Sequence, residues 1–252
     1  AFLVEWEDKT RDVSTSKTEL FRDSVAVMFP LLNDSQPPFL GMGEIEKPVN
    51  VWHWRADWQE DIDASFQELE QAYPNLWVDF YPHTVATPPY TILPMANLSR
   101  SYVAGWAAGN PLSQPFKLTP IEDMMAEGFG TLTTQSHQDV LGRGIWSDGR
   151  WIAVFSRPMV TADSSDTQFQ AGSTKHVAFA VWNGGNGEVD GRKSFSNWHS
   201  VAIEKSLYAD VEEGQLVPVS LWKWLVVGGV FMLGVAILLF ATVLSSRRGK
   251  FS

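Results

Sequence analysis

No cysteine occurs among the 252 residues. That excludes a disulfide framework, a thiolate zinc site, an iron–sulfur cluster and any thioether-linked cofactor on this chain. A basic surplus is missing as well. Nineteen basic against 29 acidic residues leave a formal charge of -10, so little is available to displace counterions from phosphates, and nucleic acid is not an expected partner. The five histidines (His53, His83, His137, His176, His199) share no helix-turn spacing, and no His-Glu-x-x-His pattern occurs, which leaves a tetrahedral zinc site without ligands. There is no Gly-x-Ser-x-Gly elbow and no phosphate-cradling loop, so a hydrolase has no supporting constellation. The glycine-rich stretch 184–187 follows an apolar segment with no helix behind it and reads as a turn. Internal repeats and low-complexity linkers are absent too.

What remains is a folded composition, 44% hydrophobic and 19% charged. Twelve tryptophans and 15 phenylalanines suit a β-rich core, a ring-binding surface or a pocket for a flat cofactor. Residues 225–244 form a run of 20 with no charge and no proline. At ~1.5 Å per residue such a run spans ~30 Å, the hydrocarbon thickness of a bilayer. Trp222 and Trp224 flank it on one side, with Arg247, Arg248 and Lys250 on the other, which predicts a cytoplasmic tail and an extracytoplasmic N-terminal part. The small first residue, Ala1, is what signal-peptide cleavage leaves. The expected organisation is an exported domain over 1–210, a tether over 211–221, a membrane helix over 222–246 and a tail over 247–252.

Period-two alternation bounded by turn residues predicts strands over 24–31, 49–58, 102–107, 151–157 and 175–182, with a short one over 200–203. A helix is expected over 60–73, where Ile62, Phe66, Leu69 and Tyr73 share a face. Thr119, Pro120 and Glu122 read as a capping box opening a second helix that Gly128 closes. Mostly β with short helical insertions points to a β-sandwich. The proline-rich stretch 82–94 gives Met95 a stiff support.

Two stretches stand out. In VWHWRADW (51–58), Trp52, Trp54, Ala56 and Trp58 point one way and His53, Arg55 and Asp57 the other. The polar set is either the salt-bridged outside of a core strand or a surface facing a cofactor or partner. In GRKSFSNW (191–198), a turn delivers Arg192 and Lys193 beside aromatic rings. On composition alone, a lysine in a turn is a solvated charge.

Seven motifs in order carry a family resemblance: DSVAVMFP (23–30), VWHWRAD (51–57), PIE (120–122), AEGFGTLT (126–133), GIWSDGRWIAVFSR (144–157), VAFAVWNG (177–184) and GRKSFSNW (191–198). Over roughly 20–205 the chain resembles the haem b domain of ethylbenzene dehydrogenase and its relatives, the γ subunits of exported molybdenum enzymes. The resemblance implies an immunoglobulin-like β-sandwich holding one non-covalent haem b, its iron ligated by a methionine and a lysine. The lysine maps to Lys193. For the methionine Met95 fits best, with Met124, Met125, Met159 and Met42 as alternatives. Arg192 and Arg55 are the candidates to pair with the propionates. The implied partners are an iron–sulfur β subunit, a molybdenum-containing catalytic α subunit and a cytochrome c or quinone-linked carrier. This chain would then carry electrons and catalyse nothing itself. The C-terminal span departs from soluble γ subunits and more resembles a membrane-attached nitrite oxidoreductase or nitrate reductase assembly. The rival expectation, from another class, is an anchored carbohydrate-binding β-sandwich with an exposed tryptophan face.

Overall fold

The computed structural model describes residues 1–33, 36–64, 66–67, 69–75, 110 and 117–204. They belong to one unit, Ala1–Glu204, built from two antiparallel sheets. The strands are β1 (Phe2–Glu7), β2 (Ser24–Pro30), β3 (Val49–Arg55), β4 (Ile121–Ala126), β5 (Thr133–Thr134), β6 (Leu141–Ser147), β7 (Arg150–Ser156), β8 (Thr174–Trp182), β9 (Ser194–Phe195) and β10 (His199–Ala202). The helices are α1 (Ala56–Asp63) and α2 (Leu69–Ala72). The small sheet runs β1-β7-β6; the large one runs β10-β8-β2-β3-β4-β5, with β9 also paired to β8.

Local chemistry explains several of these elements. Asp148 and Gly149 both take positive φ, 51° and 77°, and close the β6–β7 hairpin as a two-residue turn whose twist matches the flanking strands. In β1, Phe2, Val4 and Trp6 point inward while Leu3, Glu5 and Glu7 face out. In the turn after β8, the Asn183 side chain accepts from Asn186 N and Gly187 takes φ 65°, as expected for 184–187.

The core lies between the two sheets. Val25, Val27, Phe29, Trp52, Trp54 and Ile121 of the large sheet meet Trp151, Ala153 and Phe155 of the small one. Trp54 and Trp151 stand 4.8 Å apart between ring centroids, as do Phe29 and Trp52. Burying one such ring removes about 150–250 Å² from water, worth roughly 4–6 kcal/mol as an upper limit. Two core indoles donate to polar side chains: Trp151 to Asp23 Oδ2 at 2.9 Å and Trp52 to Asn50 Oδ1 at 3.1 Å. At one end of the sandwich the fully buried Arg157 lies 2.7 Å from Asp166 and 3.7 Å from Asp123, with its guanidinium 4.9 Å from the Trp52 ring. Burial raises the Asp123 carboxyl to about 8, against the pull of its Asn50 hydrogen bond.

Strands expected over 24–31, 151–157, 175–182 and 200–203 correspond to β2, β7, β8 and β10. Three expectations are corrected. The strand beginning at Val49 ends at Arg55, and Ala56 opens α1; Trp58 is buried, but from the helix. The helix expected over 60–73 breaks into α1 and α2, because its supposed apolar face is not buried: Leu69 and Tyr73 are exposed. The capping-box helix is instead β4, which pairs with β3 along its length and is buried on both faces, so cross-strand burial overrides its helix-forming composition. Strands β1, β5, β6 and β9 have no counterpart among the expectations. The strand over 102–107, the proline-rich stretch with Met95, and the 211–252 tether, span and tail lie outside the described residues. Among the described residues no helix is long and apolar enough to cross a membrane.

Gly144 on β6 makes room for the Trp54 indole: a Cβ there would lie 2.2 Å from Trp54 Cζ2. Gly144→Ala is therefore expected to lower stability by about 1–3 kcal/mol, measured as a drop in denaturation midpoint. An unchanged midpoint would mean that the two sheets are not packed this closely.

Candidate functional site

Unlike the usual outer sheet of a sandwich, the large sheet is apolar on its far side too. Ala26, Val51, Met124 and Trp182 are buried there, with Met28, Met42 and Ala180 packed against them. A cavity of about 860 Å³ opens over this face, within the range of small-molecule and cofactor sites.

Strand register fixes its floor. One row runs Ala180, Ala26, His53 across β8, β2 and β3; the next runs Ala178, Met28, Val51, Met124 out to β4. Alanines at the centre keep the floor low and flat, and thioethers border it. Met42 joins from the loop between β2 and β3, where it holds φ 70°. That conformation is costly for a bulky residue, and hydrogen bonds hold it in place: Met42 N donates to Leu40 O at 2.8 Å, and Gly128 N donates to Met42 O at 2.8 Å. Phe39 and Phe129 stand edge-on at the mouth, 6.2 Å apart and both exposed.

Lys193 lines the same cavity. Pairing of β9 with β8 (Ala180↔Phe195, Val181↔Ser194) pins the turn that carries it. Asp190, at φ 51°, offers one carbonyl to two donors, Trp182 Nε1 at 3.0 Å and Lys193 Nζ at 3.1 Å. The amine thereby sits 4.9 Å over the Trp182 ring, which in turn stacks on His53 at 4.7 Å. Burial lowers the Lys193 pKa, and the Asp190 carboxylate pulls the other way. His53 is pushed well below the ordinary histidine value, first by burial and then by Arg55, Arg22 and Lys193, and its buried Nε2 has no hydrogen-bond partner.

Of the expected site residues, Lys193 and Arg55 reach the cavity wall; Arg192 is exposed and does not line it. Arg55 is buried, ion-paired with Glu122 and 4.8 Å over the Trp58 ring. Met95 lies outside the described residues. Among the alternative methionines, Met42 and Met124 line the cavity, while Met125 and Met159 do not. Arg22 and Met28 are lining residues that the sequence does not single out, and His53, one of the polar set of VWHWRADW, lines the cavity as well. For Met28 and His53 the signal is parity: Ser24, Ala26 and Met28 share one face of β2, as Val51, His53 and Arg55 share one face of β3. Every tryptophan among the described residues is at least partly buried, so the exposed tryptophan face that a sugar-binding module needs is not found there.

The donor set suits a planar metal-bearing cofactor. An amine with lowered basicity, several thioethers, a neutral imidazole and the buried guanidinium of Arg55 all open onto one flat-floored apolar cavity. The fold and the cavity together define a β-sandwich with a cofactor pocket on the outer face of its larger sheet. Residues 1–194 match the ethylbenzene dehydrogenase family model, and the chain belongs to that family. The match begins at the first residue, so it takes in the N-terminal twenty that the motif resemblance left out, consistent with β1 being part of the small sheet.

Three curated relatives are similar over about three quarters of the chain. A candidate respiratory nitrate reductase heme subunit of Haloferax mediterranei is 28% identical over 196 residues, 78% of this chain and 49% of its own length. The dimethylsulfide dehydrogenase subunit gamma of Rhodovulum sulfidophilum is 28% identical over 77% of this chain and 52% of its own. The chlorate reductase subunit gamma of Ideonella dechloratans is 25% identical over 75% and 53%. The chain thus spans about half the length of each of these relatives.

Because His53 is held neutral in the fold and charges freely when unfolded, its contribution is full above the unfolded value near 6.5 and is lost as pH falls through it. His53→Phe keeps a ring against Trp182. The variant's stability relative to the parent should therefore rise as the pH of a urea titration is lowered from 7 to 5. A constant difference across that range would contradict a neutral buried imidazole.

Proposed function

We propose that this chain is a non-catalytic electron-transfer subunit holding one non-covalent haem b. In this reading it relays electrons between the iron–sulfur subunit of a molybdenum oxidoreductase complex, of nitrite or nitrate type, and a downstream cytochrome c or quinone-linked carrier. The observation that carries the reading is Lys193, held by its turn at the wall of a flat, thioether-bordered cavity in a chain of this family. The family resemblance supports an immunoglobulin-like topology for the sandwich. The first similar relative bears the name of a nitrate reductase heme subunit, and the other two are gamma subunits of a dimethylsulfide dehydrogenase and a chlorate reductase.

Lys193 is proposed as one axial ligand and Met95 as the other, with both positions filled so that the iron exchanges electrons rather than binding substrate. Lysine must shed its proton to ligate, a step of about 4–5 kcal/mol at pH 7 against a reference pKa of ~10.4. The burial that lowers the Lys193 pKa works in that direction. Of the two arginines the motifs offered for the carboxylates of the porphyrin, Arg55 reaches the cavity wall and is proposed for that role. The run 225–244 is proposed to anchor the complex in the membrane as a single span, with the sandwich on the periplasmic side.

Lys193→Ala in the full chain, purified in detergent with haem, is expected to turn a low-spin visible spectrum high-spin or to empty the site. Met95→Leu should do the same and lower the midpoint potential. A spectrum and potential indifferent to Lys193→Ala would refute the ligation. A response to Lys193→Ala but not to Met95→Leu would move the second ligand to a cavity-lining methionine, Met28, Met42 or Met124.

A further inference from the structure

Two arginines line the cavity, and both stand at the same end of it. Ser24 on β2 pairs with Arg55 on β3, and Arg22 lies two residues before Ser24, so the two guanidinium groups enter the wall at the same end. Met28 and Met124 flank Val51 farther along the strands, in the thioether row. Each arginine is held by one carboxylate: Arg22 Nη1 donates to Asp57 Oδ2 at 2.9 Å, and Arg55 Nη2 donates to Glu122. A guanidinium has five N–H donors, so one such contact leaves others free. Arg55 is more than nine-tenths buried, and its Nε has no hydrogen-bond partner. Thr15, whose hydroxyl donates to the same Asp57 oxygen, also lines this end. The charges acting on His53, at the centre of the floor, are those of Arg55, Arg22 and Lys193, all positive.

We propose that Arg22 and Arg55 together form the carboxylate-binding end of the cavity and set the orientation of the planar ligand, acidic edge toward the arginines and apolar edge toward the methionines. The inference rests on the haem reading above and deepens it. Arg22 takes the second cation position, which the sequence motif had placed on Arg192. Asp57 and Glu122 act as positioning residues that hold the guanidinium planes. A dicarboxylate porphyrin is selected over a neutral one because a buried guanidinium donor without an acceptor is costly, and a carboxylate supplies the missing one.

The test uses the full chain in detergent with two iron-free probes, protoporphyrin IX and its dimethyl ester, titrated by quenching of tryptophan fluorescence. Without iron, axial ligation does not contribute, so Lys193→Ala should leave the preference for the acid intact. Arg22→Gln is expected to weaken binding of the diacid about tenfold or more and to leave the ester unchanged, which also shows that the cavity survives the substitution. Equal affinity of parent and variant for the diacid, or an equal loss for both probes, would overturn the assignment of Arg22. Failure of the parent chain to bind either porphyrin would overturn the haem reading and the inference with it.

Discussion

A sheet in a two-layer sandwich needs one apolar face, and the large sheet here has two. Its inner face carries Val25, Val27, Phe29, Trp52 and Trp54 against the small sheet. Its outer face carries Ala26, Val51, Met124 and Trp182, and among the described residues no second sheet covers them. Strands β2 and β3 are buried on both sides for this reason, and the cavity is the consequence. The two faces differ in kind. Interlocked rings fill the inner one, while the outer one is low, soft and sulfur-bordered, a surface on which a flat ring can lie.

The polar groups at the cavity answer to that burial. The Asp190 carbonyl gathers the Trp182 N–H and the Lys193 amine, which places a nitrogen donor over the indole. His53 sits neutral beneath, in a field set by three cations. The carboxylates that hold Arg22 and Arg55 offset part of the charge without using all of the guanidinium donors. An amine of lowered basicity near one wall and arginines at one end match an amphiphilic planar ligand with a metal at its centre and acid groups at one edge.

Much of this was legible in the residues. The alternation of VWHWR assigned tryptophans to the core and His53 and Arg55 to the opposite face, and the structure opens that face onto the cavity. The turn carrying Lys193 was singled out, and the lysine lines the cavity. What failed did so for physical reasons. IEDMMA is rich in helix formers, yet β4 takes its conformation from β3 beside it and from burial on both faces. Strand β6 was hidden by Gly142 and Gly144, whose missing side chains leave space that Ile121 and Trp54 occupy from the facing sheet. Arg22 was invisible because its role depends on a register, Ser24 opposite Arg55, that no local pattern announces.

The central claim is that this chain holds haem through Lys193. The reduced-minus-oxidised visible spectrum of the purified full-length chain in detergent tests it most directly. Sharp low-spin b-type bands, present on isolation or after addition of haem, are the predicted result. A colourless protein that added haem does not convert would contradict the account.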